Sequence, residues 1–149
     1  MNRKLYQGFP DRLAHDTPGW VARGAIFHIR VRSVHPILTE PDVAKKILDS
    51  ARHYHELARW ELLLFLVMPD HIHALLGFAD NDKMSCVVGD WKRFQRVHHH
   101  IRWQEGFFDH RLRNEIEPLR QQAEYISMNP VVKGLCPAPG KWPWVLALT

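Results

Sequence analysis

Two histidines stand one residue apart in the middle of an apolar stretch, "VMPDHIHALLGF". Because alternate side chains of a strand point to the same face, His71 and His73 would share a face while Ile72 points to the other. Two neutral imidazole rings so placed can bind one divalent ion, but another element must supply a further ligand. A pair of ordinary structural histidines gives the same pattern, so the pair by itself leaves both interpretations open.

A tyrosine and an asparagine in "EYISMNPVV" could complete such a site. Tyr125 and Asn129 are four residues apart, which stacks them on one face of a helix, away from the apolar stripe of that helix. A tyrosine next to an amide that coordinates a cation could act as a nucleophile beside its metal. The alternative is a partly exposed tyrosine and a helix-terminal asparagine that prepares the turn into Pro130.

The strands that must hold the two histidines follow from the apolar periodicity. Residues 25–32, "AIFHIRVR", alternate, which predicts a strand with one apolar and one basic face. Residues 60–68 form a continuous apolar strand, and the tight Pro69–Asp70 link makes residues 71–78 its hairpin partner. A further short strand is predicted within residues 103–112. The basic face of the first strand consists of His28, Arg30 and Arg32.

Three segments have the apolar spacing of amphipathic helices. The first spans residues 38–58, with Thr39 predicted as its cap and Pro41 in its first turn. The second spans residues 84–102, and the third spans residues 114–129 and is stopped by the proline that follows. The residues of the second helix predicted to face inward are Val87, Val88, Trp91, Phe94, Val97 and Ile101. Those of the third are Ile116, Leu119, Ala123 and Ile126.

The order strand, helix, strand, strand, helix, strand, helix predicts an α+β fold. It is that of a ferredoxin-like split βαβ sandwich with an antiparallel sheet and an added C-terminal helix, which carries Tyr125. The first and third strands are central neighbours in that topology, so the histidine pair would lie beside the basic face of the first strand. The length suits a single domain over residues 1–149. Residues 1–23 are predicted to form an N-terminal arm and residues 137–149 a C-terminal tail.

Composition argues against several classes of protein. Hydrophobic content of 46% and charged content of 24% are those of a soluble globular protein. The longest apolar run ends at Pro69 and is too short to cross a bilayer, and the N-terminus has no apolar signal core. Two distant cysteines, Cys86 and Cys136, form no disulfide framework. We therefore expect a cytoplasmic protein with no membrane partner.

Positive charge is concentrated in one segment. Between Lys83 and Arg113 there are seven Lys or Arg residues and three acids, which leaves 13 of the 20 bases and 13 of the 16 acids elsewhere. The segment also contains several aromatic residues. Cations beside aromatic rings suit a phosphate backbone and stacked bases. A solvated helix face over an ordinary core gives the same composition.

The chain resembles a known family in several motifs. "MPDHIHALL" resembles the His-hydrophobic-His signature of the HUH single-strand nucleases. "EYISMNPVVKGL" resembles the nucleophile motif, Y-I-x-x-N-P-v-x-x-G-L, of the REP-associated tyrosine transposases and their insertion-sequence relatives. "GFFDHRLRN", "FHIRVR" and "KWPW" also match the pattern of that family, so the similarity covers residues 24–144. The chain departs from it at Asp70, where asparagine is usual, and after the last tryptophan, where serines often follow.

The resemblance implies a metal-dependent endonuclease and strand transferase for single-stranded DNA, acting through a 5′-phosphotyrosine intermediate, often at the foot of a hairpin. Tyr125 would be the nucleophile. A divalent ion, Mg²⁺ or Mn²⁺, would be bound by His71, His73 and Asn129. Some relatives are homodimers that exchange the tyrosine helix and others are monomers, so the resemblance leaves a homodimer open.

Basic side chains would hold the DNA backbone. The residues predicted for this role are His28, Arg30, Arg32, Lys92, Arg93, Arg96, Arg111 and Arg113. For each of them singly, an ordinary surface cation is the simpler interpretation. Gln121 and Gln122 could orient the tyrosine or a water, with solvated helix surface as the alternative, and no general base is assigned. The competing functions are a non-catalytic nucleic-acid-binding module on the same fold and a metal hydrolase unrelated to nucleic acid, which would need a further carboxylate ligand.

Overall fold

The computed structural model describes residues 25–79 and 81–148, and the predicted N-terminal arm lies outside them. The strands are β1 Ala25–Arg32, β2 Glu61–Val67, β3 His71–Phe78, β4 Phe108–Leu112 and β5 Val145–Leu146. They form one antiparallel sheet in the order β4-β1-β3-β2-β5. The predicted α+β class with an antiparallel sheet is confirmed, and the edge strand β5 is an element that the sequence did not predict.

The helices of the described residues are α1 Pro41–Glu56, α2 Asn81–His99, α3 Ile116–Ser127 and the single-turn α4 Asn129–Val132, with a 3₁₀ turn at Pro139–Lys141. Each of the three predicted helices is present, although its ends differ by a few residues from the prediction. None of the helices described is long and apolar enough to span a membrane.

Two expectations about helix ends are wrong. Helix α1 begins at Pro41 with Glu40 as its N-cap residue, and no side chain caps it, so Thr39 does not have the predicted role. Proline suits the first helical position because its φ angle is already helical and its missing N–H would have no partner there. For the same reason Pro130 lies in the first turn of α4, while α3 has already ended at Ser127.

The pairing of β1 with β3 sets the positions of the candidate ligands. These strands are neighbours at the centre of the sheet, as predicted, with Arg30 opposite His73 and Arg32 opposite His71. Directly opposed residues of an antiparallel pair point to the same face. One face of the sheet therefore carries both histidines beside both arginines.

Both faces of the sheet are covered by helices. On one face, α1 and α2 bury a core that includes Trp60 and Trp91. On the other face, α3 packs against a second core that includes Leu75, which shares the face of the histidine pair. The α3 residues in this second core are Leu119, Ala123 and Ile126. Ile116, also predicted to face inward, is 42% exposed in the first turn of α3.

Helix α2 buries Val87, Val88 and Trp91 as predicted, but its inward row differs from the prediction toward its C-terminal end. Its buried row contains Gln95, whereas Phe94 and Val97, which were predicted to face inward, are 36% and 50% exposed. Gln95 Nε2 donates a hydrogen bond to Ser50 Oγ over 2.8 Å, and Trp91 Nε1 donates to the same oxygen over 3.2 Å. A glutamine whose hydrogen bonds are satisfied can be buried. A prediction based on residue polarity therefore failed for this part of the helix.

The C-terminal tail is docked against β2. Trp142 is buried, its Nε1 donates to the Val67 carbonyl over 3.0 Å, and β5 pairs with β2. We expect Trp142→Ala to lower the free energy of unfolding by about 3 kcal/mol, the usual cost of deleting a buried aromatic side chain. Trp142→Phe keeps most of the packing, so its cost should be about 1 kcal/mol for the lost hydrogen bond. Urea denaturation measures both changes, and an unchanged stability of Trp142→Ala would contradict the docking.

Candidate active site

An open groove of about 720 Å³ lies between α3 and the face of the sheet that carries the histidine pair. The four residues predicted as metal ligands or nucleophile line it together: His71, His73, Tyr125 and Asn129. The other lining residues are Arg30, Arg32, Gln121, Glu124, Met128, Val132 and Lys133. The fold therefore gathers, in one place, candidate ligands and a candidate nucleophile that are far apart in the sequence.

Tyr125 is presented to the groove because the opposite side of α3 is buried. Ala123 and Ile126 pack against the sheet, whereas Tyr125 is 62% exposed. Since α3 ends at Ser127, Asn129 is the first residue of α4 and does not share a helix with Tyr125. The predicted common helix is therefore wrong, although both side chains line the same groove.

His73 lies within a chain of side-chain contacts. It is 2% exposed, with Asn129 Nδ2 at 3.1 Å from its Nε2 and His28 Nε2 at 3.0 Å from its Nδ1. Burial, and to a smaller extent the neighbouring His71, lower the pKa of His73 to about 3. The ring is therefore neutral near pH 7, which is the form in which imidazole binds a metal.

His71 is oriented by the acidic residue that precedes it. Its Nδ1 lies 2.7 Å from Asp70 Oδ1, and Arg32 is 3.8 Å from the other oxygen of Asp70. Burial lowers the pKa of His71, and the Asp70 carboxylate opposes this shift. The hydrogen bond to His71 in turn lowers the pKa of Asp70. A carboxylate that accepts from Nδ1–H leaves a lone pair on Nε2 of His71, as is usual for metal-binding histidines.

The side chains of the groove fit a divalent ion. Asn129 Oδ1 is buried without a hydrogen-bond partner, which costs free energy unless another group, such as a cation, satisfies it. Within the described ranges no three histidine, cysteine or acidic residues form a metal-binding group, so a set of three donors in this groove would need the amide oxygen of Asn129. Two neutral imidazoles and an amide oxygen are a mixed donor set that divalent ions accept.

Arg30 and Arg32 connect the groove with a second cleft of about 430 Å³. The guanidinium carbon of Arg30 lies 4.7 Å from the centre of the Phe108 ring. Phe108 is 43% exposed, and Phe107 also lines the cleft. Cations beside exposed aromatic rings can hold a phosphate backbone and stack a base, so this cleft can extend a nucleic-acid path away from the groove.

The predicted DNA-binding residues of α2 are not gathered around the groove. Lys92, Arg93 and Arg96 belong to a helix that packs on the opposite face of the sheet. Lys92 Nζ donates to the carbonyl oxygens of Gln104 and Gly106 over 3.2 and 2.7 Å. Lys92 thus braces the loop before β4, and burial lowers its pKa.

Three more of the predicted DNA-binding residues do not line the groove. Arg111 pairs with Phe27 in the register of β1 and β4, so it points to the far face. Arg113 is exposed beyond β4, with its Nε 3.8 Å from Glu115. His28 faces α3 but is 5% exposed, and both of its ring nitrogens lie within 3.2 Å of other side chains. Protein atoms therefore occupy both nitrogens of His28, and a DNA contact by this ring stays a prediction.

Two side chains shape the site in ways that the sequence did not predict: Asp70 and Gln122. Asp70 directly precedes His71, so a carboxylate next to a candidate ligand was a detectable signal. Gln122 Nε2 lies 3.2 Å from His28 Nδ1, between α3 and β1. No local pattern predicts a contact between residues so far apart in the chain.

We expect the metal-free protein to lose stability as the pH falls from 6.5 toward 4. Burial, Arg30 and His110 lower the pKa of His28 to about 4, and that of His73 is lowered to about 3. Both rings titrate near 6.5 in the unfolded chain, which therefore binds more protons than the folded protein below that pH. The free energy of unfolding should fall by about 2 kcal/mol per buried histidine at pH 5.

Urea denaturation with a chelator, at about pH 7 and about pH 5, measures this loss. His28→Gln should reduce the difference between the two conditions by about 2 kcal/mol. His53→Gln, at an exposed position of α1, is the matched control and should leave the difference unchanged. Equal stability of the parent protein under both conditions would contradict the expectation.

Comparisons with known proteins identify the fold. No protein-family model matches the chain, and no curated protein matches it significantly in sequence. Among solved structures, a REP-associated tyrosine transposase bound to a REP hairpin is similar, with a TM-score of 0.67 and 22% identity, covering 82% of this chain and 76% of that chain. A candidate transposase from Deinococcus radiodurans R1 matches with a TM-score of 0.47 and 20% identity, covering 74% of this chain and 89% of that chain. The first similarity shows that this chain has the fold of a REP-associated tyrosine transposase.

Proposed function

We propose that this chain is a metal-dependent endonuclease and strand transferase that acts on single-stranded DNA through a 5′-phosphotyrosine intermediate. The observation that carries the proposal is that Tyr125 and the candidate ligands His71, His73 and Asn129 line one groove. The solved transposase of the same fold is bound to a REP hairpin, which supports hairpin-associated DNA as the substrate.

The metal would be held by His71, His73 and Asn129. When bound, it would polarise the scissile phosphate and offset the negative charge of an in-line transition state. Asp70 holds the Nδ1–H of His71 and so keeps its Nε2 available. The buried oxygen of Asn129, which has no protein partner, would gain one.

Tyr125 would supply the nucleophile. Its phenolic oxygen would attack phosphorus, the bond from phosphorus to the 3′ oxygen would break, and the leaving oxygen would take up a proton as the phenol loses one. The product would be a phosphodiester between Tyr125 and the 5′ end of the strand, with a free 3′-hydroxyl. Because the phosphodiester is exchanged and not hydrolysed, another 3′-hydroxyl could attack the adduct and join two strands.

The proposal is tested by trapping the intermediate. Incubation of the protein with a panel of hairpin oligonucleotides carrying single-stranded flanks, in the presence of Mn²⁺, should give a covalent protein–DNA species. Peptide mass spectrometry should locate the DNA on Tyr125, and a chelator should prevent the adduct from forming because the ligands would be left without their ion. Failure of the whole panel to give an adduct would contradict the proposal.

The DNA path is expected to cross Arg30 and not α2. Arg30→Gln removes a cation that lines both the groove and the second cleft, so affinity for a single strand should fall about tenfold and the salt dependence should become less steep by about one charge. Arg93→Gln removes a cation from the opposite face of the sheet and is the matched control, with an affinity close to that of the parent protein. Fluorescence anisotropy at several salt concentrations measures both, and equal losses would place the DNA elsewhere.

A non-catalytic nucleic-acid-binding module is the second candidate function. The observation that favours it is the cleft beside Phe107 and Phe108, which contains none of the candidate metal ligands. Such a module would bind single strands in a salt-sensitive way that survives loss of either His71 or His73. It would form no covalent adduct at any Mn²⁺ concentration, so the trapping experiment separates the two functions.

A further inference from the structure

A continuous row of side-chain contacts runs from α3 through β1 and β3 to α4. Gln122 Nε2 lies 3.2 Å from His28 Nδ1, and His28 Nε2 lies 3.0 Å from His73 Nδ1. At the other end of the row, Asn129 Nδ2 lies 3.1 Å from His73 Nε2. Both histidines are at least 95% buried, at 5% and 2% exposure, and their rings are stacked with 5.2 Å between centroids. Little of either ring is accessible to water.

The proton count of this row restricts the orientation of its two terminal amides. A neutral imidazole carries one N–H, so one ring nitrogen donates and the other accepts. If Gln122 and Asn129 both donated their amide protons, His28 and His73 would each turn an N–H toward the other across 3.0 Å. Two donors cannot form a hydrogen bond, so one of the amides must present its oxygen. The oxygen and nitrogen of an amide are assigned from such networks, which makes this a choice between two orientations.

Metal binding would require one of the two orientations. His73 Nδ1 is occupied by His28, so only Nε2 of His73 can offer a lone pair to an ion in the groove. The Asn129 N–H that now lies 3.1 Å from Nε2 would have to turn away, which brings the Asn129 oxygen toward the ion. The proton of His73 must then be on Nδ1 and must be donated to His28 Nε2. His28 consequently carries its own proton on Nδ1, and the group that can accept it is the amide oxygen of Gln122.

We propose that Gln122 and His28 form a positioning relay that fixes the tautomer of His73, with the Gln122 amide oxygen as its acceptor and Nε2 of His73 as its metal-binding end. Gln122 and His28 touch neither the ion nor DNA in this scheme, and they act through His73. The inference rests on the proposed metal site. It parallels the arrangement at His71, where Asp70 holds Nδ1 from the opposite side of the pair.

The relay makes a prediction for the metal-free protein. Long-range ¹H–¹⁵N spectra of protein labelled with ¹⁵N-histidine distinguish the two neutral tautomers of each ring. We expect both His28 and His73 to carry the proton on Nδ1. An Nε2–H tautomer of His73 in the parent protein would overturn the proposal, and this measurement needs neither metal nor activity.

Substitution of Gln122 tests its role as the acceptor. Gln122→Met is close in shape but offers no oxygen, so the Nε2–H form of His73 should appear and the Kd for Mn²⁺ should rise about 10- to 100-fold, the usual effect of removing a group that orients a ligand. Gln122→Glu retains an acceptor and should keep the tautomer and affinity of the parent. Arg120→Met, at an exposed position of α3, is the control and should change neither.

The outcomes separate the relay from the proposed function. Calorimetry with Mn²⁺ alone measures affinity, and thermal unfolding verifies that each variant is folded. If the parent and Gln122→Met bind Mn²⁺ equally and show the same tautomers, the relay is wrong and the metal site stands. If the parent does not bind Mn²⁺, the proposed function fails, and the tautomers of the metal-free protein still decide whether the relay exists.

Discussion

Tyr125→Phe is expected to reduce the covalent protein–DNA adduct to below detection. The substitution removes a single oxygen, the atom that would attack phosphorus, and no other side chain would replace it in the adduct. Tyr125 is 62% exposed, so the stability of the variant should stay within about 0.5 kcal/mol of the parent. Affinity for single-stranded DNA should be nearly unchanged. The measurement is denaturing electrophoresis of protein incubated with end-labelled hairpin substrates and Mn²⁺.

Tyr54→Phe is the matched control for this experiment. Tyr54 is buried in the core beneath α1 and α2, where its ring lies 5.1 Å from that of Trp60, and it has no access to the groove. Its variant should form the adduct at the rate of the parent. If Tyr125→Phe and the parent gave the same yield of adduct across the substrate panel, Tyr125 would not be the nucleophile.

His71→Ala is expected to lower the rate of metal-dependent cleavage about a thousandfold, because loss of a ligand removes several kcal/mol of transition-state stabilisation. His71 is the better test of the ligand set than His73. Its hydrogen-bond partner, Asp70, has a half-exposed side chain that water can solvate after the substitution. Truncation of His73 would instead remove the partner of the buried His28 Nε2 and of Asn129 Nδ2, and would destabilise the fold.

The control for His71 is another histidine on the same face of the sheet, His110. His110 is exposed on β4, directly opposite His28, and does not line the groove. His110→Ala should therefore cleave at the rate of the parent. Rates measured over a range of Mn²⁺ concentrations distinguish weak binding of the ion, which excess Mn²⁺ would partly restore, from a folding defect. A His71→Ala variant as active as the parent at limiting Mn²⁺ would exclude His71 as a ligand.

The path of the chain through the sheet was predictable because it depends on local periodicity. The alternation in residues 25–32 predicted β1, and the apolar run on each side of the Pro69–Asp70 turn predicted β2 and β3. The predicted ends of these strands agree with the observed ends to within one residue. The burial of Gln95 in α2 was not predictable. Gln95 is buried because Ser50, on another helix, accepts its hydrogen bond, and that partner is invisible to any pattern within α2.

That His71 and His73 share a face follows from their spacing alone, because strand alternation is a property of adjacent residues. The spacing of the apolar residues in the third helix also singled out Tyr125, which lies outside the apolar stripe. What surrounds these groups depends on how the elements pack against one another. The register of β1 against β3 and the packing of α3 bring Gln122, His28 and Asn129 into a row with His73. Such contacts depend on how separate elements pack, and this packing buries His28, which the sequence assigned to DNA binding, beside a candidate ligand.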